Sequence, residues 1–428
     1  MSPRDLSNAM ANDDRLFNGR FFSSNPIDIG SGDCVGVVLL VPGAPESQED
    51  VYPYLYRRLM QPGGRKSGLR SWLSHLKSRF SARLLTREVI KDYREIGGGA
   101  SINRLNREQA LDLGRRLKSS VIIPEGVHIK TYLVSPFGSP SMLDAAEKMK
   151  QEGVTHVVLL PLFPQYGIET TGRALAHWEA LIKNHEIAAR PTTAIWEFAS
   201  NDKYVEALNE RIDQGLQRFP RKARPDVTIL FAAHGTFVGD SKDNKDPYCC
   251  LVHHTVDRLM QKRNHDHAFK LSFVRDGGWG TSISIDLKNQ FSDLARAGKR
   301  AVLVVPVDYV TEQFDTAYML DVKARTEAEA SGIAYYHVAA GLNCHPLFIE
   351  GLTDLVVESI VPSSKKPEML CVEACPRTGW HGKDEPEGDK CSVCPFLSNP
   401  KENKTARPSQ RHGSLSTAST RDPVSRKS

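Results

Sequence analysis

No stretch of this chain stays apolar for long. The longest such run lies near Val37–Val41, far short of the roughly 20 residues needed to cross a bilayer as a helix. The first 33 residues lack the apolar core of a secretory signal, and Asp13 and Asp14 are out of keeping with a transit peptide. A cytoplasmic protein is expected, with peripheral membrane contact as the alternative. Cysteine is scarce, eight in 428 residues, which excludes a disulfide scaffold. A charge excess is also lacking in the body. Lys+Arg 56 against Asp+Glu 51 leaves +5, and residues 401–428 alone carry seven Lys/Arg and two Asp/Glu. The first 400 residues therefore hold 49 charges of each sign, and the basic excess of the tail gives no ground for expecting nucleic-acid binding. Neither a Walker motif nor a strand–GxGxxG–helix nucleotide fingerprint is present.

What is present is ordinary for a soluble globular chain, with hydrophobic residues at 40% and charged residues at 25%. The length is about three times that of a typical domain. Val37–Val41, stopped by Pro42-Gly43-Ala44-Pro45, reads as a buried strand and turn. Helical spacing follows over Glu46–Met60. Leu69, Trp72, Leu73, Leu76 and Phe80 then form one helical stripe ringed by Arg70, Lys77, Arg79 and Arg83. That stripe either covers the protein's own core or forms a basic lip against a membrane or a large apolar ligand. Strands and single helices alternate from Val127 to Ser359, predicting parallel sheets covered on both faces by right-handed crossovers. The fold class expected is α/β with two doubly wound lobes. Its divisions are a polar leader (1–33), an N-terminal lobe (34–200), a C-terminal lobe (201–362), a cysteine-rich segment (363–400) and a basic tail (401–428). The tail has too few apolar side chains to fold.

Ligands of open α/β sheets bind beyond the carboxyl ends of the strands, so polar segments at such ends are the candidates for chemistry. Ile96–Ile102 holds three successive glycines, Gly97, Gly98 and Gly99, which suit either a turn or a close backbone approach. Leu160–Tyr166, followed by Thr170-Thr171-Gly172, ends a strand in prolines and presents an aromatic and two hydroxyls, or else packs Tyr166 down as a rigid turn. Phe231-Ala232-Ala233-His234-Gly235 puts an imidazole at the tip of a buried strand. There it can act as a proton acceptor near neutral pH or serve as a structural histidine. Asp308, Glu312 and Asp315 follow a further strand, where they can steer a divalent cation or complement a helix N-terminus.

Cys371, Cys375, Cys391 and Cys394 form two close pairs that can wrap one tetrahedral site. From spacing alone, zinc and an iron–sulfur cluster are equally served.

Taken in order, these segments resemble the ferrochelatase family from about Val37 to Val361. The shared features are Gly43-Ala44-Pro45-Glu46, Tyr93-Arg94 with the glycine run, Leu160–Tyr166 with Thr170-Thr171-Gly172, and Ala233-His234-Gly235 with Asp246-Pro247-Tyr248. Pro306–Thr316 and Leu342-Asn343 before Pro346 complete the series. The resemblance implies insertion of Fe²⁺ into a porphyrin (protoporphyrin IX or coproporphyrin III) late in haem synthesis, in a cleft between the lobes of a monomer or homodimer. His234 and Asp315 would be the catalytic pair on either side of the ring centre, flanking the iron as substrate. Pro42, Gly43, Gly98, Gly99, Tyr166, Thr170 and Trp279 would line the porphyrin site. The resemblance also favours a 2Fe–2S cluster on the four cysteines, with zinc as the alternative.

Some positions depart from the family. Asp315 stands where Glu is usual, Met319 stands at a position often acidic and Lys323 continues the departure, and Gly167-Ile168-Glu169 lacks the cysteine that animal members contribute from the body. These departures leave a non-catalytic porphyrin- or haem-binding, or redox-sensing, paralogue as the rival reading.

Overall fold

The computed structural model describes residues 13–17, 20–59, 69–96, 101–135, 139–235, 246–274 and 285–361. Strand β1 (Cys34–Leu40) is followed by helices α1 (Val51–Leu59), α2 (Leu69–Glu95) and α3 (Ser101–Lys118). Then come β2 (His128–Val134), α4 (Met142–Gln151), β3 (His156–Pro161), a π-helix over Ile168–Gly172, α5 (Arg173–Lys183) and β4 (Thr192–Ala194). After α6 (Asp202–Gln217), the second set runs β5 (Thr228–His234), α7 (Tyr248–Lys262), β6 (Phe269–Val274), α8 (Ile285–Arg296) and β7 (Ala301–Pro306). A second π-helix (Asp315–Lys323), α9 (Ala324–Ala330), β8 (Tyr335–Val338) and α10 (Pro346–Ile360) complete it. The expected alternation is thus present, as two parallel four-stranded sheets ordered β2-β1-β3-β4 and β6-β5-β7-β8.

Both faces of each sheet are buried, which is why the strands read as near-continuous apolar runs. Side chains alternate across a strand, so Val35, Val37 and Leu39 of β1 enter one apolar cluster while Val38 and Leu40 enter another. The first cluster is shared between the sheets. It joins β1 and β3 to β5 and β7 through Leu113 of α3, Leu208 and Ile212 of α6, Val256 of α7 and Phe348 of α10. Gly215 lets α6 lie close on β7, because a Cβ there would meet Leu303 Cδ1 at 2.8 Å.

Four parts of the chain differ from the expectation. Residues 20–33, expected as part of a loose leader, are tied to the body. Thr193 donates its hydroxyl to the carbonyls of Ser23 and Asn25, and the Ile27 amide donates to the Ser359 carbonyl. Strand β4 and helix α3 were not expected, the first because it is three residues long and the second because its buried face carries Asn103, Asn106 and Gln109. The helix expected over Asp315–Ser331 is instead a π-helix running into α9. The i→i+5 bonding of a π-helix brings residues five apart towards one face, and Tyr318 and Lys323 do meet on Asp92. The Tyr318 hydroxyl donates to Asp92 Oδ1 at 2.8 Å, and Lys323 Nζ lies 3.8 Å from Oδ2.

One acid is buried in the core just past β4. Glu197 is 7% exposed and accepts the Ala199 amide at 2.6 Å. Burial pushes its carboxyl from 4.5 up to about 7. The folded chain therefore holds this proton more tightly than the unfolded chain, and stability falls as pH rises between those values. Glu197→Gln is expected to remove that component. In urea unfolding, its stability relative to the unsubstituted protein should rise by on the order of 2–3 kcal/mol from pH 4 to pH 8. Parallel curves for the two proteins would contradict the assignment.

Candidate active site

In each sheet the chain leaves the middle in opposite directions, and the reversal falls between β1 and β3 and between β5 and β7. A crevice opens at the carboxyl ends at such points. Pro42 and Gly43 follow β1, the 162–172 segment follows β3, His234 ends β5, and Asp308 and Asp315 follow β7. The sequence candidates among the described residues thus lie at the two reversal points.

The turn after β1 is held by side chains reaching in from helices. Asn106 donates to the Pro42 carbonyl at 3.1 Å, and the Tyr54 hydroxyl to the Gly43 carbonyl at 2.6 Å. Asn103 bonds both the amide and the carbonyl of Ala44, at 3.2 and 2.9 Å. These amides explain why α3 buries asparagines: they satisfy a turn that has no ladder partner. After β3, Gln165 donates to the hydroxyls of Tyr204 (3.2 Å) and Thr255 (3.0 Å), and the Tyr204 hydroxyl donates to the Val307 carbonyl at 2.5 Å. Tyr166 is fully buried and donates its hydroxyl to the Leu16 carbonyl at 2.6 Å, so it is a packed wall residue with no face on open space. Thr170 is part-exposed, its hydroxyl 3.3 Å from the Gly167 carbonyl.

Beneath the first π-helix, Asp246 accepts the amides of Ile168 (3.3 Å) and Tyr248 (3.2 Å), and burial pushes its carboxyl up to about 7. The neighbouring Tyr248 hydroxyl donates to Asp308 Oδ2 at 2.6 Å, and the same oxygen accepts the His234 amide at 3.0 Å. Asp308 Oδ1 is buried without a hydrogen-bond partner, and desolvation raises this carboxyl from its ordinary value. The His234 ring stands part-exposed, with Nδ1 3.2 Å from the Tyr309 hydroxyl. Nε2 makes no hydrogen bond to the described residues.

The three acids read together from the sequence are separated by the structure. Asp308 lies against His234. Glu312 is tied to the 341–343 segment, accepting the Gly341 amide at 3.2 Å while its own amide donates to Asn343 Oδ1 at 3.0 Å. Asn343 adopts φ 48° to do this. Asp315 opens the second π-helix, part-buried, with Gln313 Nε2 3.3 Å from its Oδ2. Met319 is buried, and the Lys323 ammonium, paired with Asp92, also lies 4.8 Å from the Tyr318 ring centre. Phe314 packs on Tyr93 of α2 at 4.8 Å, which joins α2 to this π-helix.

Gly98, Gly99, Trp279 and the four cysteines Cys371, Cys375, Cys391 and Cys394 lie outside the described residues. Of the apolar stripe of α2, the side chains of Leu69, Trp72, Leu73 and Leu76 are likewise not described. Its last member, Phe80, is 67% exposed, and Leu84 is 60% exposed. Among the described residues, Cys34 and Cys250 are buried and form no disulfide, and no group of three or more His, Cys, Asp or Glu is arranged to hold a metal. A groove of about 650 Å³ between α3, α6 and residues 343–347 includes Arg211 and His345 but neither His234 nor Asp315. Tyr248, Tyr309 and Gln165 lie in segments that the sequence singled out, but sequence reasoning gave none of them, nor Tyr204, a role as a buried hydrogen-bond partner.

The family model described as Ferrochelatase matches residues 34–360. The ferrochelatase of Trichodesmium erythraeum (strain IMS101) is 31% identical over 333 residues, covering 77% of this chain and 84% of that protein. The ferrochelatase of Gloeobacter violaceus (strain ATCC 29082 / PCC 7421) is also 31% identical, over 328 residues, covering 76% of this chain and 98% of that protein. Among solved structures, SirB from Bacillus subtilis with Fe3+ aligns at a TM-score of 0.46 and 11% identity, covering 76% of this chain and 96% of that one.

Proposed function

This chain belongs to the ferrochelatase family, and we propose that it inserts ferrous iron into a porphyrin of the haem pathway at the strand tips around His234. The observation that carries the reading is the position of that imidazole. It ends a buried central strand at a reversal point, with one nitrogen at Tyr309 and the other bonded to none of the described residues.

The chemistry asks for little else from the protein. As Fe²⁺ enters the ring, two pyrrole N–H bonds break, their electron pairs stay on nitrogen to bind the metal, and two protons must be received. His234 is the proposed acceptor at Nε2, taking the two protons one after the other and releasing each to water, since an imidazole exchanges protons near neutral pH. Asp315 is the proposed partner across the ring, where a carboxylate oxygen can meet the incoming cation. Pro42, Gly43 and Thr170 are proposed to border the macrocycle, with Gly98, Gly99 and Trp279 completing the site. Tyr166 is proposed to support that border from beneath.

The four C-terminal cysteines are proposed to hold a 2Fe–2S cluster, with zinc as the alternative occupant. One point supports a local set of four ligands: the body segment 167–169 contains no thiol. Bound there, such a cluster would supply redox chemistry. Peripheral membrane contact is proposed for α2, where exposed Phe80 and Leu84 adjoin Arg83.

Three measurements check this reading. With Fe²⁺ and porphyrin under anaerobic conditions, His234→Ala should lose at least ~100-fold in haem formation while still quenching porphyrin fluorescence; undiminished turnover refutes it. Porphyrin bound by the unsubstituted protein without haem being made would establish the binder instead. Anaerobically purified protein should show visible cluster absorption with two irons per chain, which zinc and a colourless spectrum would contradict. Phe80→Glu should reduce liposome flotation, and unchanged flotation removes the membrane contact.

A further inference from the structure

Strands β5 and β7 pair in register, with Ala232 opposite Pro306, so His234 and Asp308, each two residues further on, come out side by side. Asp308 Oδ2 accepts both the His234 amide (3.0 Å) and the Tyr248 hydroxyl (2.6 Å), while its Oδ1 is buried with no partner. A carboxylate left half-satisfied away from water is destabilising. Capping a strand end does not require that cost, since an asparagine oxygen would accept the same two bonds. What asparagine cannot supply is the charge.

We infer that Asp308 is a positioning residue for His234, fixing the strand tip that carries the imidazole and holding negative charge behind the ring as it takes a pyrrole proton. In that step the pyrrole N–H bond breaks and an Nε2–H bond forms. The imidazole becomes positive, and Asp308 stays unprotonated throughout. A fixed countercharge in a water-poor site stabilises such a developing charge without reorganising. The inference rests on the reading of His234 as the proton acceptor. It gives Asp308 a role distinct from steering cations, for which its inward carboxylate is badly placed.

The test uses the full chain with Fe²⁺ and porphyrin. Asp308→Asn keeps both accepted hydrogen bonds and removes the charge, so kcat is expected to fall ~10- to 100-fold with KM for both substrates within twofold. In Asp308→Ser, whose smaller side chain leaves room for a small anion, added formate is expected to restore part of the lost kcat. An Asp308→Asn enzyme with kcat within twofold of the unsubstituted protein, beside an inactive His234→Ala, overturns the inference and leaves the assignment of His234 standing. Serine-variant turnover indifferent to formate likewise overturns it. Unimpaired His234→Ala turnover overturns the assignment of His234 and the inference with it.

Discussion

A short set of buried hydrogen bonds crosses from one sheet to the other, and the geometry at the strand tips depends on it. Gln165, just past β3, reaches Tyr204 and Thr255, and Tyr204 reaches the backbone at Val307, just past β7. The donors in this set are met by one another or by backbone in a region closed to water, where an unmade bond is expensive, and Gln165 Oε1 alone of its polar atoms is left without a partner. The knot therefore fixes the segment after β3 relative to the segment after β7. Those two segments carry Thr170 on one side and Asp308, Glu312 and Asp315 on the other.

Around this knot, polar side chains buried on helix α3 serve the loops more than the helix itself: Asn103 and Asn106 hold the turn after β1, and Gln109 donates to the Asn343 carbonyl. From irregular backbone before α7, Asp246 receives the first amide of a π-helix. Irregular backbone can come close to a ligand at the strand ends only if its amides and carbonyls find such partners. Met319 and Lys323, which depart from the family pattern, belong to the same logic. One fills core, and the other meets Asp92, so the second π-helix is packed against α2 through Tyr318 and Phe314.

The elements that were legible in the sequence were those written in short-range pattern. β1 is bounded by its prolines, β5 runs into His234-Gly235, and α6 and α7 show clean apolar stripes, so their limits follow from periodicity and punctuation. What escaped was set by long-range contact. β4 is too short to show a period and exists because Thr193 bonds residues 23 and 25. α3 looks too polar to be buried because its partners are sixty residues away. The acids after β7 looked like one cluster because they are close in the chain, whereas the β5–β7 register sends Asp308 to His234 and the 341–343 segment takes Glu312. Tyr166 looked like a ligand contact because an aromatic after a proline-stopped strand often is one. Its real partner, Leu16, lies in a segment with no visible period.

The apolar cluster that runs unbroken from β1 and β3 to β5 and β7 also limits how the molecule can breathe. A hinge between the halves would have to tear Leu39, Ile212, Phe231 and Leu303 apart and wet them together, so clamshell opening is closed to this architecture. Traffic of a flat, bulky guest must instead be handled by the rim, where helix α2 and the second π-helix meet through a few aromatic rings and one buried carboxylate.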